Sequence, residues 1–227
     1  MRTLIYVPII HSSADMGSLG KELKHESVSV SGEDKWQKHN DTVNGYWETI
    51  ELYFENIDKC INGLKIYQDG MFVDGEMALK IIKEGIKSGS KNSEIVLKLM
   101  DRGAILIQTE DFDMVKAEYD GLQSVLKSKN NIQKLILLLR YKILKPIFLS
   151  RRDKFIARTI AKTLNQNETG ILFIGAFHRI IKKLPEDITV VQLKEIAKIR
   201  KYQKTIQTNS KMKSLQLEQL IEYLIEK

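Results

Sequence analysis

Short apolar runs alternate along the chain with longer segments whose apolar residues recur at helical spacing. The short runs predict five strands, over 4–10, 64–68, 104–108, 171–174 and 188–191. The first run is apolar at almost every position, which is typical of a strand buried on both faces of a sheet. Strands that alternate with helices predict an α/β fold, with a mostly parallel central sheet of about five strands flanked by helices.

The longer segments predict helices over 41–59, 76–86, 92–100, 112–126, 132–142, 152–164 and 215–225. Pro146 is expected to break the helical pattern after residue 142, because proline cannot continue the backbone hydrogen-bond ladder. We therefore expect a single α/β domain over 1–227, with a helical insertion or cover at 130–149 and a C-terminal helix within 211–227. Residues 25–37 contain four Ser or Gly and predict a flexible loop.

Composition places the chain among globular proteins, with 43% hydrophobic and 29% charged residues and only 13 Gly and 3 Pro among 227. A lone Cys60 can form neither an internal disulfide nor a Cys-rich zinc site, and it indicates a reducing, cytoplasmic setting. No cleavage site follows the first apolar run, so we expect no signal peptide. The most apolar segment, 132–149, contains four basic residues and a proline, which argues against a membrane span.

The charge balance is basic, with 36 Lys and Arg against 29 Asp and Glu, a net charge of +7. Most of the excess lies in 140–154 and 194–213. Neither stretch interleaves aromatic residues with the basic ones, and no zinc-finger or RNA-binding signature is present. The sequence therefore favours a solvated basic surface over nucleic-acid binding. An apolar face on the C-terminal helix either packs on the sheet or supports a homodimer.

Two histidines follow predicted strands. His11 ends the first apolar run, and His178 comes four residues after the run over 171–174. Groups just past the carboxyl ends of parallel strands converge on the ligand crevice, so both imidazoles are expected to face one cleft. Gly175 strengthens this expectation, because a glycine at a strand exit lets the backbone turn sharply and approach a ligand or a neighbouring strand. Imidazoles placed there can bind a metal ion or move a proton, and the alternative is a pair of packed or capping histidines.

Carboxylates occupy matching positions. Asp69 follows the second predicted strand, and Glu110 and Asp111 follow the third. A cluster of histidines and carboxylates is what a hydrolytic metal site or an acid/base pair requires. The alternatives are a turn residue for Asp69 and helix N-terminal charges for Glu110 and Asp111.

Arg152 is the basic residue with the strongest claim to a site. It shares a helix face with Ile156 and Ile160, so its guanidinium is expected to tilt toward the sheet. A buried arginine is costly unless it is paired, and the usual partner is a carboxylate or an anionic substrate.

The stretch RRDKFIA at 151–157, followed by GILFIGAFH at 170–178, resembles the TraB/Tiki/erythromycin-esterase superfamily. Those proteins pair an Arg-Asn or Arg-Asp helix start with a strand that ends in Gly-x-x-His, and have an earlier Gly-x-x-His after the first strand. PIIH at 8–11 occupies that earlier place, with proline instead of the first glycine. The resemblance implies a metal-dependent peptidase, esterase or ligand-binding activity, with His11, Arg152 and His178 as site residues and Asp69 and Glu110 as the acidic members.

The leading hypothesis is a cytoplasmic hydrolase that acts on an amide or ester bond of a small-molecule or peptide substrate. In a metal form, His11, His178 and Asp69 hold a divalent ion. Glu110 is then the general base, and Arg152 stabilises developing negative charge or orients a carboxylate. In a metal-free form, one histidine deprotonates water directly. A separation of His11 and His178 above about 10 Å would rule out a shared ion. The alternative is a non-catalytic protein that binds a small ligand or a metal in the same cleft.

Overall fold

A computed structural model describes residues 1–12, 15, 28–29, 32–57, 61–128, 130–208 and 214–226. The strands are β1 (Arg2–Ile9), β2 (Lys65–Gln68), β3 (Ile105–Ile107), β4 (Thr169–Gly175) and β5 (Ile188–Gln192). They form one sheet in the order β3-β2-β4-β1-β5, and every neighbouring pair is parallel. The predicted α/β fold, a single domain around a parallel sheet, is confirmed.

The part of the chain that the structure describes contains seven α-helices. They are α1 (Glu33–Glu55), α2 (Gly75–Lys87), α3 (Lys91–Asp101), α4 (Phe112–Lys127), α5 (Asn131–Thr163), α6 (Ile196–Thr208) and α7 (Ser214–Ile225), with a short 3-10 helix at Ile180–Lys183.

Helices cover both faces of the sheet, as the continuously apolar β1 requires. On one face, the C-terminal half of α5 is tied to β2 by a hydrogen bond of 2.8 Å between the hydroxyls of Tyr67 and Thr163. On the other, α1 packs through Phe54, whose ring lies 5.8 Å from that of Phe173 on β4. The carboxyl edge of the sheet lies between these two layers.

The predicted break at Pro146 is wrong, because α5 is one helix of 33 residues with this proline inside it. Pro146 is exposed, so the carbonyl of Lys142 that loses its helical partner can be hydrated. Packing against α4 on both sides of the proline holds the helix together. Residues 131–149 therefore form the first half of α5. None of the helices in the described ranges is long and apolar enough to cross a bilayer.

Helix α1 begins at Glu33, eight residues before the predicted start. Residues 33–37 of the predicted loop are therefore helical, while 25–27, 30 and 31 lie outside the described residues. Glu33 and Asp34 occupy the first turn, where negative charge is favourable because of the helix dipole. The first turns of α1 are mostly exposed, and a polar, solvated helix start shows no apolar periodicity in the sequence.

Helix α6 was not predicted. Its buried residues Ile196, Ile199 and Tyr202 recur at helical spacing, but lysines and arginines between them dominate the segment. This helix matters to the site, because the guanidinium of Arg200 donates to the backbone carbonyls of Ala176 and His178.

Candidate functional site

Three of the residues predicted to converge, Asp69, His178 and His11, follow the central strands β2, β4 and β1, which lie side by side, whereas Glu110 follows the edge strand β3. A Cβ atom built on Gly175 would lie 3.1 Å from Asp69 Oδ2, 3.5 Å from His178 Cδ2 and 3.6 Å from His11 Nε2. Two imidazoles and one carboxylate therefore surround the same point. The two histidines are within the limit of about 10 Å set for a shared site.

Gly175 supplies the space for this arrangement. Its backbone N–H donates to Asp69 Oδ2 at 2.9 Å, which fixes the carboxylate against the end of β4. A Cβ atom at this position would crowd the Asp69 carboxylate and would be in van der Waals contact with both imidazoles. The predicted role of a glycine at the strand exit, a close approach of neighbouring groups, matches the geometry.

Arg152 lies at the centre of a buried group of charges. Its Nε donates to Glu110, and its Nη2 donates to Glu110 Oε1 at 2.6 Å and to Asp69 Oδ1 at 2.5 Å. Its Nη1 donates to Glu118. The expected pairing of Arg152 with a carboxylate is therefore present, and it involves three carboxylates. With most of its five N–H donors in use, the guanidinium organises the site's carboxylates and has little capacity for a substrate anion.

The charges in this group stabilise one another. Burial opposes the carboxylate form of Asp69, but the charges of Arg152, His178 and His11 outweigh burial and hold the pKa of Asp69 well below its usual range. Burial likewise opposes the charge on Arg152, whose pKa is nevertheless raised, chiefly by Asp69 and Glu110. The pKa of Glu110 is raised because it is buried beside a second carboxylate, despite its hydrogen bonds from Arg152.

His178 is oriented by Asp153. Its Nδ1 lies 2.6 Å from Asp153 Oδ1, and the other carboxylate oxygen of Asp153 accepts from the backbone N–H of Arg179 at 2.9 Å. Nδ1 therefore carries the proton, and Nε2 faces Asp69 Oδ2 at 3.8 Å. Burial opposes protonation of His178, but Asp69 and Asp153 outweigh it and raise the pKa of the imidazole.

The adjacent residues Arg152 and Asp153 reach different partners because successive side chains on a helix diverge by about 100°. One turn of α5 therefore positions both the carboxylate cluster and His178. Asp111, in contrast, takes the alternative role considered for it, since its side chain caps α4 by accepting from the backbone N–H of Met114 at 3.1 Å.

Sequence reasoning gave no site role to Glu118, Tyr6 or Asp153, although Asp153 belongs to the Arg-Asp helix start of the motif. Glu118 lies three residues after Val115 on the apolar side of α4, and Asp153 lies three residues before the buried Ile156. A charged residue at such a core-facing position is the signal that could have found both. The hydroxyl of Tyr6 is buried without a hydrogen-bond partner among the described residues, and burial raises the pKa of this phenol.

The predicted metal ligands His11, His178 and Asp69 approach one another, but the carboxylate among them is already bound by other groups. Both oxygens of Asp69 already accept hydrogen bonds, one of them from the positively charged Arg152. No group of three His, Cys, Asp or Glu side chains within the described ranges is arranged to hold a metal. The cation that these carboxylates bind is the guanidinium.

A polar pocket of about 310 Å³ lies beside this edge of the sheet. It includes Ser12, the residue that follows His11, and the side chains of helix α1 form much of its wall. The lining residues are Ser12, Gln37, Asn40, Val43, Asn44, Trp47, Gly89 and Lys91. His11 is exposed whereas His178 is buried, so the site opens to solvent on the side of His11.

Comparison with known proteins finds no family model, no curated protein and no solved structure that matches this chain. The resemblance to the TraB/Tiki/erythromycin-esterase superfamily therefore depends on the motif residues themselves, of which Arg152, Asp153, His178 and His11 lie together at one edge of the sheet.

Proposed function

We propose that this protein is a hydrolase of amide or ester bonds that uses His11 and His178 as a proton-transfer pair without a metal ion. The observation that carries the proposal is the approach of both imidazoles to one point beside Gly175, with His178 held by Asp153. Two imidazoles that approach one point can donate and accept protons at the same bond, which suits hydrolysis of a carbonyl compound.

The two histidines differ in surroundings, and this assigns their roles in the proposal. His178 lies between Asp69 and Asp153, which favour its protonated form, so it donates a proton from Nε2 to the leaving group. His11, the exposed member, accepts a proton from the attacking water. The water oxygen then bonds to the carbonyl carbon, and the bond to the leaving group breaks as that group takes the proton from His178.

Arg152 is a positioning residue in this mechanism. It fixes Asp69 through its Nη2, and Asp69 in turn faces His178 Nε2. Glu110, proposed from the sequence as a general base, has both oxygens bound to Arg152 and one also to the N–H of Gly70, so it supports Arg152 instead. These buried hydrogen bonds fix the position of Asp69 beside the imidazole of His178.

The pocket beside His11 gives room for a substrate. Its walls carry the carboxamides of Gln37, Asn40 and Asn44 and the indole of Trp47. Amide groups both donate and accept hydrogen bonds, so they suit a peptide or another small molecule that carries amide or hydroxyl groups. Membership of the TraB/Tiki/erythromycin-esterase superfamily and a cytoplasmic location are parts of the same proposal, supported by the motif residues and by the lone Cys60.

A hydrolysis screen with activated esters and short peptide amides tests the proposal. We expect His178→Ala to lower kcat/KM at least about 100-fold, because proton transfer by a positioned side chain contributes on this order. His39→Ala is the matched control, since the His39 ring stacks on Tyr202 and does not line the pocket. Activity that survives chelator treatment and disappears in His178→Ala supports the proposal. Equal activity in the wild type and His178→Ala, or saturable binding of these compounds without turnover, would overturn it in favour of a binding protein.

A further inference from the structure

The first half of α5 exposes an apolar stripe that no described residue covers. Six aliphatic side chains in this half-helix are between 47% and 73% exposed. They are Ile132, Leu135, Ile136, Leu139, Ile143 and Ile147. At about 100° per residue they fall within an arc of about 120°, opposite the side that packs against α4. A solvated helix face normally carries polar residues, so this stripe is suited to contact with something apolar.

Positive charge surrounds the stripe. Residues 131–149, which form the first half of α5, contain four Lys or Arg and no Asp or Glu. Arg140 and Lys142 flank the stripe on its two sides, and neither forms an ion pair with a described residue.

We propose that this face of α5 binds the surface of an anionic lipid bilayer, with the aliphatic stripe in the interfacial region and the flanking basic residues on lipid phosphates. A helix that lies in the interface needs an apolar arc bordered by Lys and Arg, and 132–147 has both. No described helix is long and apolar enough to cross the bilayer, so the contact is peripheral. The proposal does not depend on the proposed hydrolase activity.

Charge distinguishes between three partners that could bind such a face, namely a second copy of the chain, a nucleic acid and an anionic bilayer. A second copy would bring Arg140 and Lys142 of both chains together, which is unfavourable unless acidic groups intervene, and residues 131–149 contain none. A nucleic acid would meet the basic residues but would leave the aliphatic stripe against its phosphates. An anionic bilayer satisfies both properties, because its phosphates meet the charges and its acyl boundary meets the stripe.

Co-sedimentation of the full chain with vesicles tests the proposal. Wild-type protein is expected to pellet with vesicles that contain about 40 mol% phosphatidylserine and to remain in solution with phosphatidylcholine alone. Ile136→Asp/Ile143→Asp should lower the partition coefficient at least about tenfold, because it places charge in the apolar stripe. Arg140→Gln/Lys142→Gln should lower the partition coefficient and make it less sensitive to salt concentration. These substitutions are on exposed side chains, and circular dichroism checks that each variant folds.

Met77→Asp/Leu215→Asp is the matched control, since it makes the same change of charge at residues 57% and 63% exposed on α2 and α7. We expect it to bind vesicles as the wild type does. Wild-type protein that stays in solution with anionic vesicles would overturn the proposal, as would equal binding by the control and the Ile136→Asp/Ile143→Asp variant. A dimer in light scattering that Ile136→Asp/Ile143→Asp dissociates, without vesicle binding, would assign the face to a second copy.

Discussion

The two halves of α5 carry charge in opposite ways. In the C-terminal half, Arg152 and Asp153 are buried and each is bonded to groups from other elements. In the N-terminal half, Arg140 and Lys142 are exposed beside an aliphatic stripe. The same helix therefore holds a network of paired charges at the edge of the sheet and, away from it, exposed basic residues beside an apolar stripe. Sequence composition alone does not distinguish the two, because both halves are rich in arginine, lysine and isoleucine.

This difference shows that the groups around a charged side chain decide what that side chain can do. A buried charge without partners is too costly to keep, so the carboxylates around Arg152 are a structural requirement as well as a chemical resource. An exposed lysine costs nothing and is free to meet an external partner. The proposed chemistry therefore belongs to the C-terminal half and the proposed contact with lipid to the N-terminal half.

The largest expected effect is the loss of stability in Arg152→Met. Removal of the guanidinium leaves Asp69, Glu110 and Glu118 without their shared partner, so the free energy of unfolding should fall by about 3–5 kcal/mol. Urea unfolding followed by circular dichroism measures it. Arg151→Met, on the exposed neighbour, should change the free energy by less than about 0.5 kcal/mol. Similar losses in both variants would contradict the difference drawn between buried and exposed basic residues.

A smaller loss is expected for Asp153→Asn. The carboxylate accepts from both His178 and the backbone N–H of Arg179, and an amide can satisfy only one of these donors through its oxygen. The free energy of unfolding should fall by about 1–3 kcal/mol. Asp120→Asn, which affects only an exposed ion pair with Lys116, is the control and should be nearly neutral. An unfolding curve for Asp153→Asn that overlies the wild-type curve would show that Asp153 does not hold His178.

The effect of His178→Gln should depend on pH. The folded protein raises the pKa of His178, so its contribution to stability is fully present below the unfolded value and is lost as pH rises through the folded value. The destabilisation by His178→Gln should therefore be greater at about pH 6 than at about pH 9. Denaturant titrations at both pH values measure it. A destabilisation that increases with pH would mean that burial lowers the pKa of His178 more than Asp69 and Asp153 raise it.

The smallest effect is expected in the exposed half of α5. Ile136→Asp/Ile143→Asp should change the free energy of unfolding by less than about 0.5 kcal/mol per substitution, because both side chains already face solvent. Chemical unfolding in the absence of lipid measures this. A loss of several kcal/mol would indicate that the stripe is covered within the protein and is not available to a membrane.

Much of the fold could be predicted from sequence because buried parallel strands have a strong local signal. All five strands lie within the predicted apolar runs or extend them by a few residues, as at β1 and β4. The continuous α5 and the unpredicted α6 could not be found, since tertiary packing overrides Pro146 in one and lysines obscure the periodicity in the other.

The site was partly predictable for a similar reason. His11, Asp69 and His178 follow central strands, and parallel topology brings strand ends together. The sequence could not show that Arg152 would bind three carboxylates at once, because Glu118 comes from α4 and its contact depends on how the α4–α5 hairpin packs.

The measurement that tests the site most directly is an NMR titration of His178 in the wild type and in Asp153→Asn. The ring nitrogens report both the tautomer and the pKa. We expect the proton of the neutral ring on Nδ1 and a pKa above the ordinary value of 6.5, which falls when Asp153 is replaced. A His178 that titrates at or below 6.5 in the wild type and is unchanged in Asp153→Asn would contradict the proposed acid/base site.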